Sequence, residues 1–141
     1  MIMRDDYYFM SNMYPCKIKW KYNIYKSAET IFQLSKCKYA EDIPMFKNLN
    51  GFESKKLGRK IKMRNDWNDI KVLTMRKIVK DKFLQNPKLL DKLKRIKEPI
   101  IEENTWGDRF WGVSNGMGLN VLGKILTEVK DYEREYNEIY I

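Results

Sequence analysis

The stretch around which this chain is organised is residues 104–123, which read NTWGDRFWGVSNGMGLNVLG. These twenty residues hold two of the four tryptophans and five of the seven glycines in the chain. Glycine costs conformational entropy on folding and adds no packing surface, so this content is not typical of a plain helix or strand. We interpret the stretch as an ordered loop in which Asp108, between the tryptophans, helps to hold a flat ligand. The alternative is that the tryptophans fill the core.

The length and composition predict one compact, ordered domain over residues 1–141. The chain is 43% hydrophobic and contains two cysteines, too few for a disulfide framework. No apolar run approaches the roughly 20 residues that span a bilayer, and the first residues lack the pattern of a signal peptide. We therefore expect a cytoplasmic protein that does not contact a membrane.

Histidine is absent from the chain. This excludes a Ser-His-Asp or Cys-His triad, a His-based zinc site and an imidazole general base. The acidic residues are scattered, so no metal site is predicted. Because no glycine-rich phosphate-binding fingerprint is present, no nucleotide cofactor is predicted either. Any chemistry must use Asp, Glu, Lys or Tyr.

The charge of the chain is +9 and is unevenly distributed. Residues 55–97 hold sixteen basic and four acidic side chains, a net +12, whereas residues 128–141 hold two and five, a net −3. A basic block of this kind favours phosphate-bearing partners, either nucleic acid or a charged nucleotide. The alternative is that the lysines solvate the outer faces of helices.

The hydrophobic periodicity predicts an α+β fold, predominantly helical, with a small antiparallel sheet or hairpin near the N-terminus. Apolar and polar residues alternate from Cys16 to Tyr25, which is typical of a hairpin. Ser27 can cap a helix to about Ala40. After that helix, a short helical turn is predicted from Asp42 to Gly51. Four more helices are predicted: one over 53–63, one from 65 or 66 to about 85, one that follows Pro87, and one that begins at about 119.

Glu29, Gln33 and Lys36 lie at positions i, i+4 and i+7 of the first predicted helix. Side chains at this spacing project from one stripe of a helix. The stripe is either a functional group of residues or an ordinary solvated surface with a Glu-to-Lys pairing.

The chain resembles the NADAR family of YbiA-like N-glycosidases over nearly its whole length. The shared motifs are Phe9-Met10-Ser11-Asn12, Tyr14-Pro15, Ser27-Ala28-Glu29, Phe32-Gln33, Lys36, Gly58-Arg59, Arg64-Asn65-Asp66-Trp67, Lys82-Phe83, Asn104-Thr105-Trp106-Gly107-Asp108, Phe110-Trp111-Gly112, Gly116, Gly118, Asn120 and Leu122-Gly123-Lys124. The resemblance implies a YbiA-like fold and cleavage of a bond between a ribose anomeric carbon and a nitrogen. It also implies two substrate classes: guanine bases of nucleic acid carrying ADP-ribose, and phosphoribosylamino-pyrimidine intermediates of riboflavin synthesis. Family members occur in phages or are paired with an ADP-ribosyltransferase in toxin-antitoxin systems.

Three residues are predicted to be catalytic. Glu29 is the first choice for stabilising the cationic, oxocarbenium-like state of C–N cleavage, or for aligning water. Asp108 is the second carboxylate, which either binds ribose hydroxyls or protonates the leaving nitrogen. The resemblance favours Lys36 as a catalytic lysine that attacks C1 to give a Schiff base, and the alternatives are a phosphate contact or a pair with Glu29.

The predicted substrate-binding residues supply amides, a guanidinium and indole rings. They are Asn12, Gln33, Arg59, Trp67, Asn104, Trp106, Trp111 and Asn120. Arg59 is the expected phosphate contact, and the tryptophans are candidates to stack a base, although Trp67 could instead belong to the core.

Three functions are consistent with the sequence. The preferred hypothesis is a cofactor-independent N-glycosidase that removes ADP-ribose from guanine in nucleic acid, because the basic block favours a polymer or an ADP-ribose conjugate. The second is hydrolysis of phosphoribosylamino-pyrimidines. The third is a non-catalytic module that binds ADP-ribose or nucleic acid.

Overall fold

The computed structural model describes residues 1–140, with side chains described over residues 1–132. By its internal contacts the chain divides into two compact units. We call Asn12–Asn86 the central unit, and Met1–Ser11 with Pro87–Ile141 the terminal unit. The expectation of one domain over residues 1–141 stays a prediction.

The central unit begins with the hairpin that the sequence predicts. Strand β1 (Ile18–Trp20) pairs antiparallel with β2 (Asn23–Tyr25), and Ile18 lies opposite Tyr25. Both of these residues are buried, so one face of the hairpin is anchored. Three α-helices follow: α1 (Ala28–Ser35), α2 (Gly51–Gly58) and α3 (Trp67–Gln85). A 3-10 helix, Ala40–Phe46, lies between the first two.

Helix α1 is shorter than predicted, because it ends at Ser35 rather than near Ala40. The backbone after the helix pairs with a distant segment. Arg64 N donates to Lys36 O at 2.8 Å, and Lys38 N donates to Lys62 O at 2.9 Å. These bonds take the chain out of the helix, and the local sequence pattern does not reveal them.

The position predicted to end a helical turn in fact begins a helix. Gly51 is the first residue of α2, and Asn50 caps it: Glu53 N donates to the Asn50 side chain, while Asn50 N donates to the Glu53 carboxylate. This reciprocal arrangement satisfies two backbone donors at a helix start. The helix predicted over 53–63 therefore runs over Gly51–Gly58 instead.

The terminal unit contains a 3-10 helix, Asp5–Met10, and helices α4 (Pro87–Lys94) and α5 (Val121–Tyr140). Strands β3 (Glu103–Asn104) and β4 (Val113–Ser114) pair in parallel. Only residues 105–112 connect them, although parallel strands normally need a longer crossover. The glycine-rich stretch is thus irregular, as expected, and Gly107, Gly116 and Gly118 have positive φ.

Each unit has its own buried apolar residues. In the central unit they include Ile31, Phe46, Ile78 and Phe83, and in the terminal unit Met10, Leu93, Ile125 and Leu126. The predicted fold class is confirmed, since the chain is mainly helical with a small antiparallel sheet near its N-terminus. Most of the predicted acidic tail lies beyond the residues whose side chains are described.

Candidate active site

Glu29 lies in the first turn of α1 and is only 8% exposed. The helix starts at this point because the Ser27 side chain accepts a hydrogen bond from Thr30 N at 3.1 Å. The backbone N–H of Glu29 donates to Asn12 O at 2.9 Å, which attaches the preceding loop to the helix start. The partial positive charge of a helix N-terminus favours a carboxylate here.

Gln33 holds the Glu29 carboxylate from one turn further along α1. Its Nε2 donates to Glu29 Oε1 at 2.7 Å, and the Gln33 side chain is itself buried. Among the residues whose side chains are described, no hydrogen bond reaches Gln33 Oε1. A buried amide oxygen without a hydrogen-bond partner is uncommon in folded proteins, and this one lies close to the Gly58 backbone, away from solvent.

Helix α2 packs against these two residues through small side chains. A Cβ atom at Gly58 would lie 2.0 Å from Gln33 Oε1, and one at Gly51 would lie 3.3 Å from Glu29 Cβ. Between the two glycines, Ser54 Oγ lies 2.8 Å from Thr30 Oγ1. Gly58, next to the predicted phosphate contact, is therefore needed because the Gln33 amide occupies the space of a side chain.

Lys36 follows the last turn of α1 and is half-buried. Its Nζ lies 5.2 Å from the centroid of the Phe32 ring. Burial lowers the pKa of Lys36; Glu29 opposes this effect, while the positive charges of Lys55 and Arg59 add to it. The structure thus brings a buried carboxylate, an amide and three cationic side chains into one part of the central unit.

Two other predicted residues of the central unit are buried. Trp67 is 5% exposed, and its ring meets the Phe32 ring edge-on, with 5.1 Å between centroids. Asn12 donates from Nδ2 to Met75 Sδ at 3.3 Å. The burial of Trp67 favours the interpretation as a core residue over that of a base-stacking platform.

The remaining predicted residues lie in the terminal unit. Asn104 accepts from Asp108 N at 3.0 Å and donates to Asp108 O at 2.8 Å. Asp108 Oδ1 in turn accepts from the backbone N–H groups of Phe110 and Trp111. Within residues 1–132, no hydrogen bond reaches Asp108 Oδ2. Asp108 therefore organises the glycine-rich loop through Oδ1, and its role toward a ligand stays a prediction.

Both polar atoms of the Asn120 side chain form hydrogen bonds to the backbone of its own unit. Its Oδ1 accepts from Glu102 N and its Nδ2 donates to Ile100 O, both at 2.9 Å. Trp106 is 65% exposed, whereas Trp111 is half-buried and meets the Phe110 ring edge-on. Asn104 and Asn120 thus support the loop, whereas the Trp106 side chain lies largely in solvent. The predicted binding roles of these residues stay predictions.

With this geometry in view, comparison with known proteins identifies the family. The NADAR domain matches residues 2–132. The chain belongs to the NADAR family. Its relatives include the N-glycosidase YbiA of Shigella flexneri, 31% identical over 131 residues, which cover 90% of this chain and 82% of that protein. A riboflavin biosynthesis protein of Vibrio vulnificus is 32% identical over 139 residues, covering 94% of this chain and 37% of that protein.

A solved structure carries the same fold. The NMR structure of YbiA from Escherichia coli matches with a TM-score of 0.85 and 25% identity, covering 97% of this chain and 83% of that one. The predictions of the family and of an enzyme of the hydrolase class are therefore confirmed. The chain spans only about a third of the length of the Vibrio vulnificus protein, so this NADAR protein corresponds to one part of that relative.

Lys82 is a residue of this NADAR protein that the sequence reasoning did not select as part of a site. It is fully buried on α3, and burial lowers its pKa to about 8. Its Nζ lies 5.8 Å from the centroid of the Tyr14 ring and 5.1 Å from that of Phe83. Its spacing in the sequence could have indicated this burial, because Lys82 follows the buried Ile78 by four residues and so falls on the apolar stripe of the helix.

Two kinds of feature are absent from the described residues. No group of three or more Cys, Asp or Glu side chains in that part of the chain is arranged to hold a metal ion. No helix among those residues is long and apolar enough to cross a membrane.

Proposed function

We propose that this protein is an N-glycosidase that removes ADP-ribose from guanine in nucleic acid by hydrolysing the ribose C1–nitrogen bond. The observation that carries the proposal is the buried Glu29 carboxylate, held by Gln33 and close enough to Lys36 for its charge to act on the pKa of that lysine. Cleavage of this bond places positive charge on C1 and the ring oxygen. A fixed carboxylate in a water-poor site stabilises that charge more than it stabilises the ground state.

Lys36 is proposed to act as the nucleophile. Its lowered pKa leaves a larger fraction of its amine neutral, which is the form that attacks carbon. The amine bonds to C1 as the bond to guanine breaks, and the leaving nitrogen takes a proton that the amine loses. The bond between C1 and the ring oxygen then breaks as the second amine proton passes to that oxygen, which leaves the ring-opened sugar as a Schiff base. Water adds to that carbon, which releases ADP-ribose and restores the amine.

Lys55 and Arg59 are proposed to hold the diphosphate of ADP-ribose. Both lie close enough to Lys36 for their charges to lower its pKa, and Arg59 is exposed at the end of α2. A planar guanidinium can bind two phosphate oxygens at once. The part of the basic block that lies in the same unit, residues 55–86, holds eleven basic and three acidic side chains, a net +8, and supports an anionic substrate there.

A second candidate function is hydrolysis of phosphoribosylamino-pyrimidines. It is supported by the names of two relatives, the Vibrio vulnificus protein and a chloroplastic riboflavin biosynthesis protein of Arabidopsis thaliana. The same cationic side chains could hold a single phosphate. The candidates differ in salt dependence, because a polymer releases many counterions on binding and a monomeric substrate does not. Activity that falls steeply with salt therefore favours the nucleic-acid substrate.

The direct test uses an oligonucleotide carrying one ADP-ribosylated guanine, incubated with wild type, Glu29→Gln and Glu41→Gln. Glu29→Gln keeps the hydrogen bond to Gln33 and removes the charge. Glu41 is exposed in the same unit and serves as the matched control. We expect wild type and Glu41→Gln to shift the oligonucleotide to its unmodified mass and Glu29→Gln to lose at least about 100-fold in rate.

The other outcomes of this test are also informative. Binding without turnover in wild type would favour the non-catalytic module. Turnover of a phosphoribosylamino-pyrimidine alone would favour the second candidate. Removal of ADP-ribose would also support a functional pairing with an ADP-ribosyltransferase that installs the modification.

A further inference from the structure

The β1–β2 hairpin presents one face to solvent, and this face is basic. Side chains alternate between the two faces of a strand, and Ile18 and Tyr25 point inward and are buried. Lys19 and Ile24 form the next pair of the ladder, and both are exposed. The hydrogen bond from Cys16 N to the backbone carbonyl of residue 26 continues the ladder beyond the strands. The exposed lysines of the hairpin are Lys17, Lys19, Lys21 and Lys26.

This concentration of positive charge is not balanced locally. Residues 16–27 contain four lysines and neither Asp nor Glu. Over the part of the chain whose side chains are described, none of these lysines forms an ion pair. The four positive charges therefore have no anionic side chain beside them within residues 16–27, which favours an anionic partner.

Apolar groups are exposed beside the lysines. Tyr22, in the turn, is 97% exposed, and Ile24 is 59% exposed. Aromatic rings next to basic side chains are the combination with which proteins bind single-stranded nucleic acid, because unpaired bases stack on rings while cations contact the backbone. A duplex would keep its bases inside and leave the Tyr22 ring without this contact.

The outer edge of β1 is fixed to the C-terminal end of α3 by side-chain hydrogen bonds. Gln85 bonds to both backbone groups of Lys19, accepting from its N–H at 2.6 Å and donating to its carbonyl at 2.9 Å. Asn86 Nδ2 donates to Lys17 O at 3.0 Å. These bonds hold the basic face in one orientation, which reduces the entropy lost when a partner binds.

We propose that this hairpin binds the single-stranded nucleic acid that carries the modified base, an inference that rests on the function proposed above. Tyr22 and Glu29 are seven residues apart in the same unit, so their Cα atoms are separated by at most about 25 Å. That distance corresponds to about seven base steps at about 3.4 Å each. A short single strand can therefore contact the hairpin while its modified base lies at Glu29.

The test measures binding of an unmodified 15-nucleotide single-stranded DNA by fluorescence anisotropy at several salt concentrations. The hairpin variant is Lys19→Gln/Lys21→Gln/Lys26→Gln. The matched control, Arg4→Gln/Lys47→Gln/Lys124→Gln, changes exposed basic side chains outside both the hairpin and residues 55–97 and lowers the net charge equally. We expect the hairpin variant to bind at least about tenfold more weakly, and the slope of log K against log salt to fall by about 2.

A third variant tests the aromatic contact. Tyr22→Ala keeps every charge, and we expect it to weaken binding about tenfold with little change in the salt slope. Equal losses in the hairpin and control triples, or no binding of single-stranded DNA by wild type, would overturn the proposal. The binding assay contains no ADP-ribose, so it decides on the hairpin even if wild type fails to release ADP-ribose in the activity test.

Discussion

At the scale of single residues, the site depends on how closely the Gly58 backbone approaches the Gln33 amide. A Cβ atom at Gly58 would lie 2.0 Å from Gln33 Oε1 and 2.8 Å from Gln33 Cδ. Gln33 would have to move, and Glu29 would lose the hydrogen bond that orients it. Gly58 is thus a positioning residue for the proposed carboxylate, although it carries no functional group.

Gly58→Ala is therefore expected to lower kcat at least about tenfold and to destabilise the fold by about 1–3 kcal/mol through overpacking. In a Gln33→Ala background the collision is absent, so the same substitution should be neutral or stabilising, because alanine favours a helix over glycine by up to about 1 kcal/mol. Urea denaturation of the four proteins measures this coupling. Equal effects in both backgrounds would contradict the packing argument.

A covalent role for Lys36 predicts that the intermediate can be trapped. Borohydride reduces a Schiff base to a stable amine, so wild type incubated with substrate and borohydride should gain the mass of reduced ADP-ribose on one lysine. Lys36→Arg keeps the charge and cannot form the adduct. An adduct of equal yield in Lys36→Arg would show that another amine is the nucleophile.

The lowered pKa of Lys36 gives the same step a pH dependence. The attacking amine must be neutral, so the single-turnover rate should rise with pH until the folded-state pKa of Lys36 is passed. A rate that does not change over this range would argue against attack by the amine.

The burial of Lys82 should make the free energy of unfolding depend on pH. Its pKa is about 8 in the folded protein and about 10.5 in the unfolded chain, so folding buries a charge below pH 8 and releases a proton above it. Stability from this group therefore rises between pH 8 and 10.5, by about 3 kcal/mol for a shift of this size. Relative to wild type, Lys82→Met should be most stabilised at pH 7, and its advantage should shrink toward pH 10 in urea denaturation. A constant difference would contradict the burial of a charged Lys82.

At the scale of elements, helices α1 and α2 are joined by buried hydroxyl groups. Thr30 Oγ1 lies 3.0 Å from Ser27 Oγ and 2.8 Å from Ser54 Oγ, and it donates to Leu49 O at 3.2 Å. Ser54 Oγ also donates to Asn50 O. Removal of one member leaves buried polar partners unsatisfied, which costs more than the hydrogen bond alone.

Thr30→Val has nearly the same shape and lacks the hydroxyl. We expect it to lower the free energy of unfolding by about 1–3 kcal/mol. Thr30→Ser keeps the hydroxyl, and its cost should be limited to the lost methyl group, about 1 kcal/mol. Thermal or urea denaturation compares the two. A greater loss in Thr30→Ser than in Thr30→Val would show that packing matters more than the hydroxyl network.

The elements also show how far the sequence alone leads. The hairpin, the Ser27 cap and the Glu29-Gln33-Lys36 stripe were predictable because alternation, capping and helical spacing are local patterns. The early end of α1 was not, since it depends on backbone pairing with residues 62–64. The start of α2 could have been found, because Asn50 and Glu53 have the spacing of a capping box.

In the site, the sequence predicts which residue types are present, but not how they pack, how buried they are or which groups they bond to. Nothing in the local pattern shows that Gly58 must make room for Gln33, that Trp67 is buried against Phe32, or that both polar atoms of Asn120 bind backbone groups. These properties arise from contacts between residues that are distant in the chain.

At the scale of the whole molecule, family membership and charge distribution point to the same chemistry. The NADAR match covers residues 2–132, which includes every residue predicted to form the site. The relatives named N-glycosidases are consistent with the proposed cleavage of a bond to nitrogen, and the basic block is consistent with the proposed phosphate-bearing substrate. The central claim is therefore the identity of the bond that the protein cleaves.

The most direct test is therefore the mass of both products from an oligonucleotide carrying a single ADP-ribosylated guanine. Hydrolysis at C1 predicts an oligonucleotide of unmodified mass together with free ADP-ribose, formed by wild type and not by Glu29→Gln. An oligonucleotide that keeps a phosphoribosyl group would show cleavage in the diphosphate instead. That product, or equal turnover by Glu29→Gln, would contradict the proposed N-glycosidase mechanism.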